Sequence, residues 1–238
     1  MSAPLQDLLA VQELDLSLDQ LRHRRAHLPQ REQLAGLDER RKKLQSELTQ
    51  VEAARGELGQ RQARAEAELA ATEERSGQIN ARLYGGGVSA SRDLQAMSAE
   101  LEQLKSRASA LEDSVLEILE ASEPLDARSA DLEQSLQQLA GEGQELVSQL
   151  AENEQQIDSE IAAVSARRAE AVAAVPEGLL ATYERLRARL GGVGVARLVG
   201  NRCDGCHLSL SAAELDRVRH LPEGEVYACE QCSRILVP

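Results

Sequence analysis

The chain has 238 residues, a formal charge of −13 and a composition rich in Ala, Leu, Glu, Gln and Arg, all good helix formers. It contains no Phe or Trp and only three Tyr, so it can line a long apolar stripe but has little with which to fill a thick core. The acidic balance excludes a protein that binds nucleic acid over its whole surface, though not a local basic patch.

No apolar run reaches the roughly 20 residues of a membrane helix, and no basic segment leads into an apolar core with a cleavage site. The expectation is cytoplasmic residence with no membrane attachment. In that reducing setting four paired cysteines read as thiolate ligands rather than disulfides.

Residues 5 to 28 predict a first helix, with Leu8, Val11, Leu14, Leu18, Leu21 and Leu28 near one stripe. Pro29 should end or kink it, because the ring removes a donor and restricts the residue before it. A second periodic run covers 31 to 83 through Leu34, Leu37, Leu44, Leu48, Val51, Leu58, Leu69, Ile79 and Leu83. Arg41, Arg55, Gln62, Thr72 and Ser76 occupy the remaining stripe positions, so this seam is imperfect. Gly85, Gly86 and Gly87 then break the helical pattern.

The third run, 90 to 173, carries apolar residues at alternating steps of three and four from Leu94 and Met97 to Ile161 and Val164, weakened at Ser122, Ser129 and Gly143. A spacing averaging about 3.5 residues is that of left-handed coiled-coil packing. The two long runs should fold back antiparallel about residue 86. That reflection sets the basic stretch 22 to 43 against 129 to 150, which holds acids and no Lys or Arg. A monomeric hairpin is favoured, with a dimer as the alternative. Pro176 should end the long helix, and a short helix is expected from Glu177 to Leu190. The sequence divides into residues 1–190, a helical hairpin with its short terminal helix, and residues 191–238, a small C-terminal domain.

That last domain holds Cys203-Asp-Gly-Cys206 and Cys229-Glu-Gln-Cys232. Two-residue gaps let both thiolates of one turn reach the same ion, and two such pairs complete a tetrahedral set. The expected cofactor is one structural Zn2+ held by Cys203, Cys206, Cys229 and Cys232, with Gly205 relieving the first turn. Ser211 and Glu214 have capping-box spacing, so a helix is expected from Ala212 to about His220, stopped by Pro222 and Gly224. Val226-Tyr227-Ala228 and Ile235-Leu236-Val237 read as short strands. The fold class is therefore mostly α: a long antiparallel coiled-coil hairpin followed by a small zinc ribbon. So small a ribbon should draw much of its folding energy from the metal.

His207 is the rival ligand, made superfluous by four cysteines. His23 and His27, four residues apart, lack a third ligand and read as exposed. No GxGxxG, Walker A, HExxH or GxSxG pattern occurs. A zinc closed by four thiolates leaves no position for substrate or activated water, so no enzyme is expected.

Several segments go beyond what zinc binding requires: Leu14-Asp15, Leu28-Pro29, Leu83-Tyr84-Gly85-Gly86, Leu111-Glu112-Asp113, Tyr183-Glu184-Arg185-Leu186-Arg187, and Arg234-Ile235-Leu236 after the last cysteine. With the two CxxC pairs they resemble the bacterial family of C4-type zinc-ribbon proteins with a long N-terminal helical hairpin. The resemblance implies the same architecture. It also implies roles met among relatives: partnership with an alternative sigma factor or flagellar export components, and in one branch messenger-RNA binding.

The leading expectation is a non-enzymatic adaptor that presents a coiled coil and a zinc ribbon to a protein partner. The rival is nucleic-acid binding through Arg185, Arg187, Arg189, Arg197 and Arg202, beside the ribbon. Against it, Cys203 to Pro238 holds six Asp/Glu and three Arg, with Tyr227 the one aromatic residue for stacking. A structural spacer is the third reading.

Overall fold

A computed structural model describes residues 3–86, 90–222 and 225–238. Gly87 at the expected tip and Gly224 at the expected helix stop lie outside the described residues. In chain order the elements are α1 (Ala3–Ala26), α2 (Pro29–Tyr84), α3 (Ser91–Val172), α4 (Glu177–Arg189), β1 (Val195–Val199), β2 (Arg202–Cys203), α5 (Ala212–Arg219), β3 (Tyr227–Ala228) and β4 (Ile235–Val237). The fold is mostly α, as expected. Pro29 both ends α1 and opens α2, at the first helical position where a missing N–H costs nothing. Pro124 sits within α3, which continues past it.

Two compact units emerge: Gln33–Glu145, and Met1–Glu32 together with Leu146–Pro238. In the first, α2 and α3 pair antiparallel. Leu48, Val51, Thr72 and Ile79 of α2 are buried, as are Leu101, Ile118, Ser129, Leu132 and Leu139 of α3. Leu48, Val51 and Leu132 form one cluster, flanked by Leu44, Leu125 and Leu136. Polar seam positions are satisfied locally. The Thr72 hydroxyl donates to the Glu68 carbonyl at 2.7 Å. Arg55 reaches Asp126 at 2.6 Å and the buried Ser129 hydroxyl at 3.3 Å.

The register differs from the expected reflection. Arg75–Glu100, Arg107–Glu68 and Arg128–Glu47 are each centred between 87 and 88, past residue 86. The basic stretch also finds other partners. Arg24, Arg25 and Arg31 meet Glu160, Asp158 and Glu154, while Arg41 and Lys42 pair within their own helix with Asp38 and Glu39. Neighbours three and four apart on a helix are always within reach, so nearby acids satisfy these cations first.

In the second unit the strands form a sheet in the order β2-β1-β4-β3, with β1 and β4 parallel and the other pairs antiparallel. Side chains alternate across a strand, and here both faces are buried. Val195, Ile235 and Val237 pack against Leu5, Leu8 and Val11 of α1, with Val175 from the turn after α3 and Tyr183 of α4. On the other face Ala196 and Leu236 pack with Leu210, Val218, Cys203 and Cys229. The packed residues thus run through position 191. This also explains the Arg-Ile-Leu tail: Ile235 serves the helical core, Leu236 the ribbon core, and Arg234 Nε donates to the Val193 carbonyl at 3.1 Å.

Candidate metal centre

Each CxxC pair is closed by the same small set of backbone bonds. His207 N–H donates to the Cys203 carbonyl and Ser233 N–H to the Cys229 carbonyl, both at 2.8 Å. Cys203 N–H donates to Leu208 O at 3.0 Å, and Cys229 N–H to Arg234 O at 2.9 Å. The residue after each second cysteine carries the turn: His207 and Ser233 both have φ 61°. Left-handed backbone is unfavourable for a residue with a Cβ, so the two turns are held by the bonds around them. Gly205 plays a different part from the one its position suggested. Its φ is not positive; instead a Cβ there would lie 2.7 Å from Arg234 Cδ and 2.9 Å from Ala196 Cβ. The glycine makes room for Arg234, just before β4, to cross the first turn.

These turns bring the four Sγ atoms within 4.8 Å of one another. Cys203 and Cys232 stand 3.9 Å apart, as do Cys206 and Cys229. A tetrahedral zinc with Zn–S bonds of about 2.3 Å needs sulfurs about 3.8 Å apart. The cluster therefore fits one structural Zn2+. Its electrostatics are divided. Burial pushes the Cys203 thiol up to about 12 and raises Cys229 as well. Burial also resists ionisation of Cys232, but donors from the Arg234 backbone and side chain bring that thiol down. A bound divalent ion supplies the positive charge that four buried thiolates require. His207 is exposed and stands outside the cysteine cluster, although its backbone shapes the site. His23 and His27 stack on each other with centroids 4.1 Å apart.

The capping box is present in full: Ser211 N–H donates to Glu214 Oε2 at 2.7 Å and Glu214 N–H to Ser211 Oγ at 3.3 Å. It fixes α5, whose Val218 closes the ribbon core.

The five arginines beside the ribbon have separate fates. Arg187 is turned inward, its side chain 20% exposed, with Asp19 at 2.6 Å and Asp15 at 3.6 Å. Arg197 pairs with Glu13 at 2.9 Å, and Arg202 Nε donates to the His207 carbonyl at 2.7 Å. Arg185 and Arg189 are exposed, with Arg185 touching Thr182.

Sequence reasoning missed the group that holds α1 in place. Asp15 is 2% exposed. It accepts hydrogen bonds from Arg168 Nε at 2.6 Å and the Tyr183 hydroxyl at 2.8 Å, and Arg168 also meets Glu184. Burial and the neighbouring carboxylate push the Tyr183 hydroxyl above its ordinary value, which keeps it a donor. Beside it, Gln12 grips β1 with both ends of its amide, accepting from Val195 N–H and donating to Val195 O, each at 2.7 Å. Gly194 lies so close to Tyr183 that a Cβ would sit 2.8 Å from its ring. The signal was present in Leu14-Asp15 and Tyr183-Glu184-Arg185-Leu186-Arg187, which stood out without a role.

Comparison with known proteins gives two family matches: CT398-like coiled coil hairpin domain over residues 11–191, and C4-type zinc ribbon domain over residues 202–236. An uncharacterized protein of Mycobacterium tuberculosis is 31% identical over 242 residues, covering 99% of this chain and 95% of that one. A solved structure from Mycobacterium smegmatis has a TM-score of 0.86 at 25% identity, covering 99% of this chain and 97% of its own. The structure of CT398 from Chlamydia trachomatis has a TM-score of 0.69 at 20% identity, with 98% and 96% covered, a likeness of fold.

Proposed function

This chain belongs to the CT398-like coiled coil hairpin family and ends in a C4-type zinc ribbon, and from that premise we propose that it is a non-enzymatic adaptor of the cytoplasm. It uses its coiled-coil hairpin and zinc ribbon to bind protein partners. We assign the zinc to Cys203, Cys206, Cys229 and Cys232, within a module running from residue 191 to 238.

The observation that carries this reading is the chemistry left exposed. The four thiolates leave a bound zinc no open position, while the ribbon exposes Val199 at 64% and Leu208 at 52%. Val199 closes the β1–β2 pairing opposite Arg202, and Leu208 lies beside Cys203, whose N–H donates to the Leu208 carbonyl. Exposed apolar side chains suit a protein surface better than a phosphate backbone. Of the five candidate arginines, Arg187, Arg197 and Arg202 are engaged within the chain, which leaves Arg185 and Arg189 for RNA.

The test is affinity capture of the full-length chain from its native host, with matched RNase-treated and untreated samples. The adaptor reading expects a defined protein retained after RNase treatment. An eluate consisting mainly of nucleic acid would establish the RNA-binding alternative, and an empty one the spacer. Among the described residues no helix is long and apolar enough to cross a membrane, so a detergent-free extract is the appropriate start.

A further inference from the structure

We propose that the outward face of α3 from Glu112 to Glu123 is a docking surface for a basic amphipathic helix of a partner protein. The proposal rests on the adaptor reading and names the chemistry of one partner surface.

Two leucines begin the argument. Leu116 is 58% exposed and Leu119 43%, although Leu111, Val115 and Ile118 of the same turns already serve the seam. Glu112, Leu116 and Glu120 lie four apart, and Leu119 and Glu123 continue from Leu116 at steps of three and four, so the five share a helix face. Asp113 and Glu117 flank it, and all seven residues are exposed.

The acids on this face find no cation in their own stretch of α3. No Lys or Arg occurs between Arg107 and Arg128. Those two arginines pair with Glu68 and Glu47, and Arg55 with Asp126. Among the described residues, Glu112, Asp113, Glu117, Glu120 and Glu123 form no ion pair. Other parts of the helices pair both signs locally, as in Asp38 and Glu39 with Arg41 and Lys42, or Glu102 with Lys105. Like charges three and four apart destabilise a helix, and an exposed leucine gains nothing from water. Acids flanking leucines therefore have no return within this chain.

Charge and shape together select the occupant. Carboxylates around an apolar strip repel nucleic acid and anionic lipid surfaces. They complement a helix with an apolar stripe bordered by Lys or Arg, which would bury the leucines and meet the acids at the rim. A second copy of this chain fits poorly. Its basic stretch, 22 to 43, contains none of the large exposed apolar side chains found among the described residues, and Arg24, Arg25, Arg31, Arg41 and Lys42 are already paired.

The test uses the full-length, zinc-loaded chain and a fluorescein-labelled synthetic peptide of about 18 residues, or roughly five helical turns. The peptide carries a leucine stripe bordered by lysines; a scrambled peptide of the same composition is the reference. Fluorescence anisotropy near physiological salt should show the ordered peptide binding at least about tenfold more tightly. Leu116→Ser with Leu119→Ser, and Glu112→Gln with Glu120→Gln and Glu123→Gln, should each weaken it about tenfold while leaving the thermal midpoint in place. Equal binding of the scramble, no binding, or binding unaffected by both variants overturns the proposal. In-cell photocrosslinking from positions 116 and 199 separates it from the adaptor reading. A basic helical segment of another protein captured at 116 supports the surface. A protein captured only at 199, or a second copy at 116, overturns the surface and leaves the adaptor standing; capture of RNA alone overturns both.

Discussion

His207 and Ser233 bear the backbone strain of the zinc turns, so their substitutions should not follow side-chain chemistry. His207→Gly should retain zinc and match or exceed the parent in thermal midpoint, whereas His207→Val should lose about 1–2 kcal/mol. Loss of zinc from His207→Gly would make the imidazole a ligand after all. Gly205→Ala should destabilise the ribbon by about 1–3 kcal/mol, because its methyl group would press on Arg234 and Ala196. The thiols make a further prediction. Without metal, burial holds Cys203 near 12, so between roughly pH 6 and 9 zinc must displace at least that proton. Apparent affinity should therefore rise about tenfold for each pH unit per proton displaced, as read by competition with a chromophoric chelator. A pH-independent affinity would contradict the protonated resting state. The residues at this scale that could be read from sequence were those whose partners lie nearby in the chain: CxxC pairs and the Ser211–Glu214 box. Left-handed backbone at a histidine and a serine has no comparable signature, and Gly205 drew attention for the wrong reason.

At the level of elements, the α2–α3 seam combines apolar layers with polar ones, among them the layer where Arg55 meets Ser129 and Asp126. A polar layer in a coiled coil sets register at some cost in stability. Replacing Arg55 and Ser129 together by Leu should raise the thermal midpoint while broadening the distance between spin labels at Arg61 and Glu117. A narrow distribution in that variant would assign register to the leucines alone. Gly141 and Gly143 lie inside α3, and a Cβ at either meets nothing. Changing each to Ala should stabilise by about 0.5–1 kcal/mol through helix propensity. The 3.5-residue period made the helices and their antiparallel pairing legible. It did not specify register, because many slips keep leucine against leucine, and the charge stretch that seemed to decide it is partly satisfied within its own helix.

On the scale of the whole molecule, the least legible feature is the bond network joining distant segments. Asp15 lies 168 residues from Tyr183, and Gln12 183 from Val195. A single sequence reports such a pairing only as two unexplained polar residues. Removing the Gln12 amide leaves a buried N–H and C=O without partners, so Gln12→Ala should cost about 2–4 kcal/mol. Zinc should reach equally far. With Cys229→Ser, hydrogen exchange should quicken in the ribbon and across residues 5–19 of α1, because one sheet serves both cores, while 33–145 keeps its protection. Quickening confined to the ribbon would make the helical core independent of the metal. The shared sheet also sets an order of events during synthesis. Leu5 and Leu8 leave the ribosome long before Ile235 and Val237, which cover them. Residues 33–145 can pair while translation continues, but α1 must wait with its apolar face uncovered until β4 emerges. That interval makes the nascent chain, more than the finished protein, the form most in need of a chaperone.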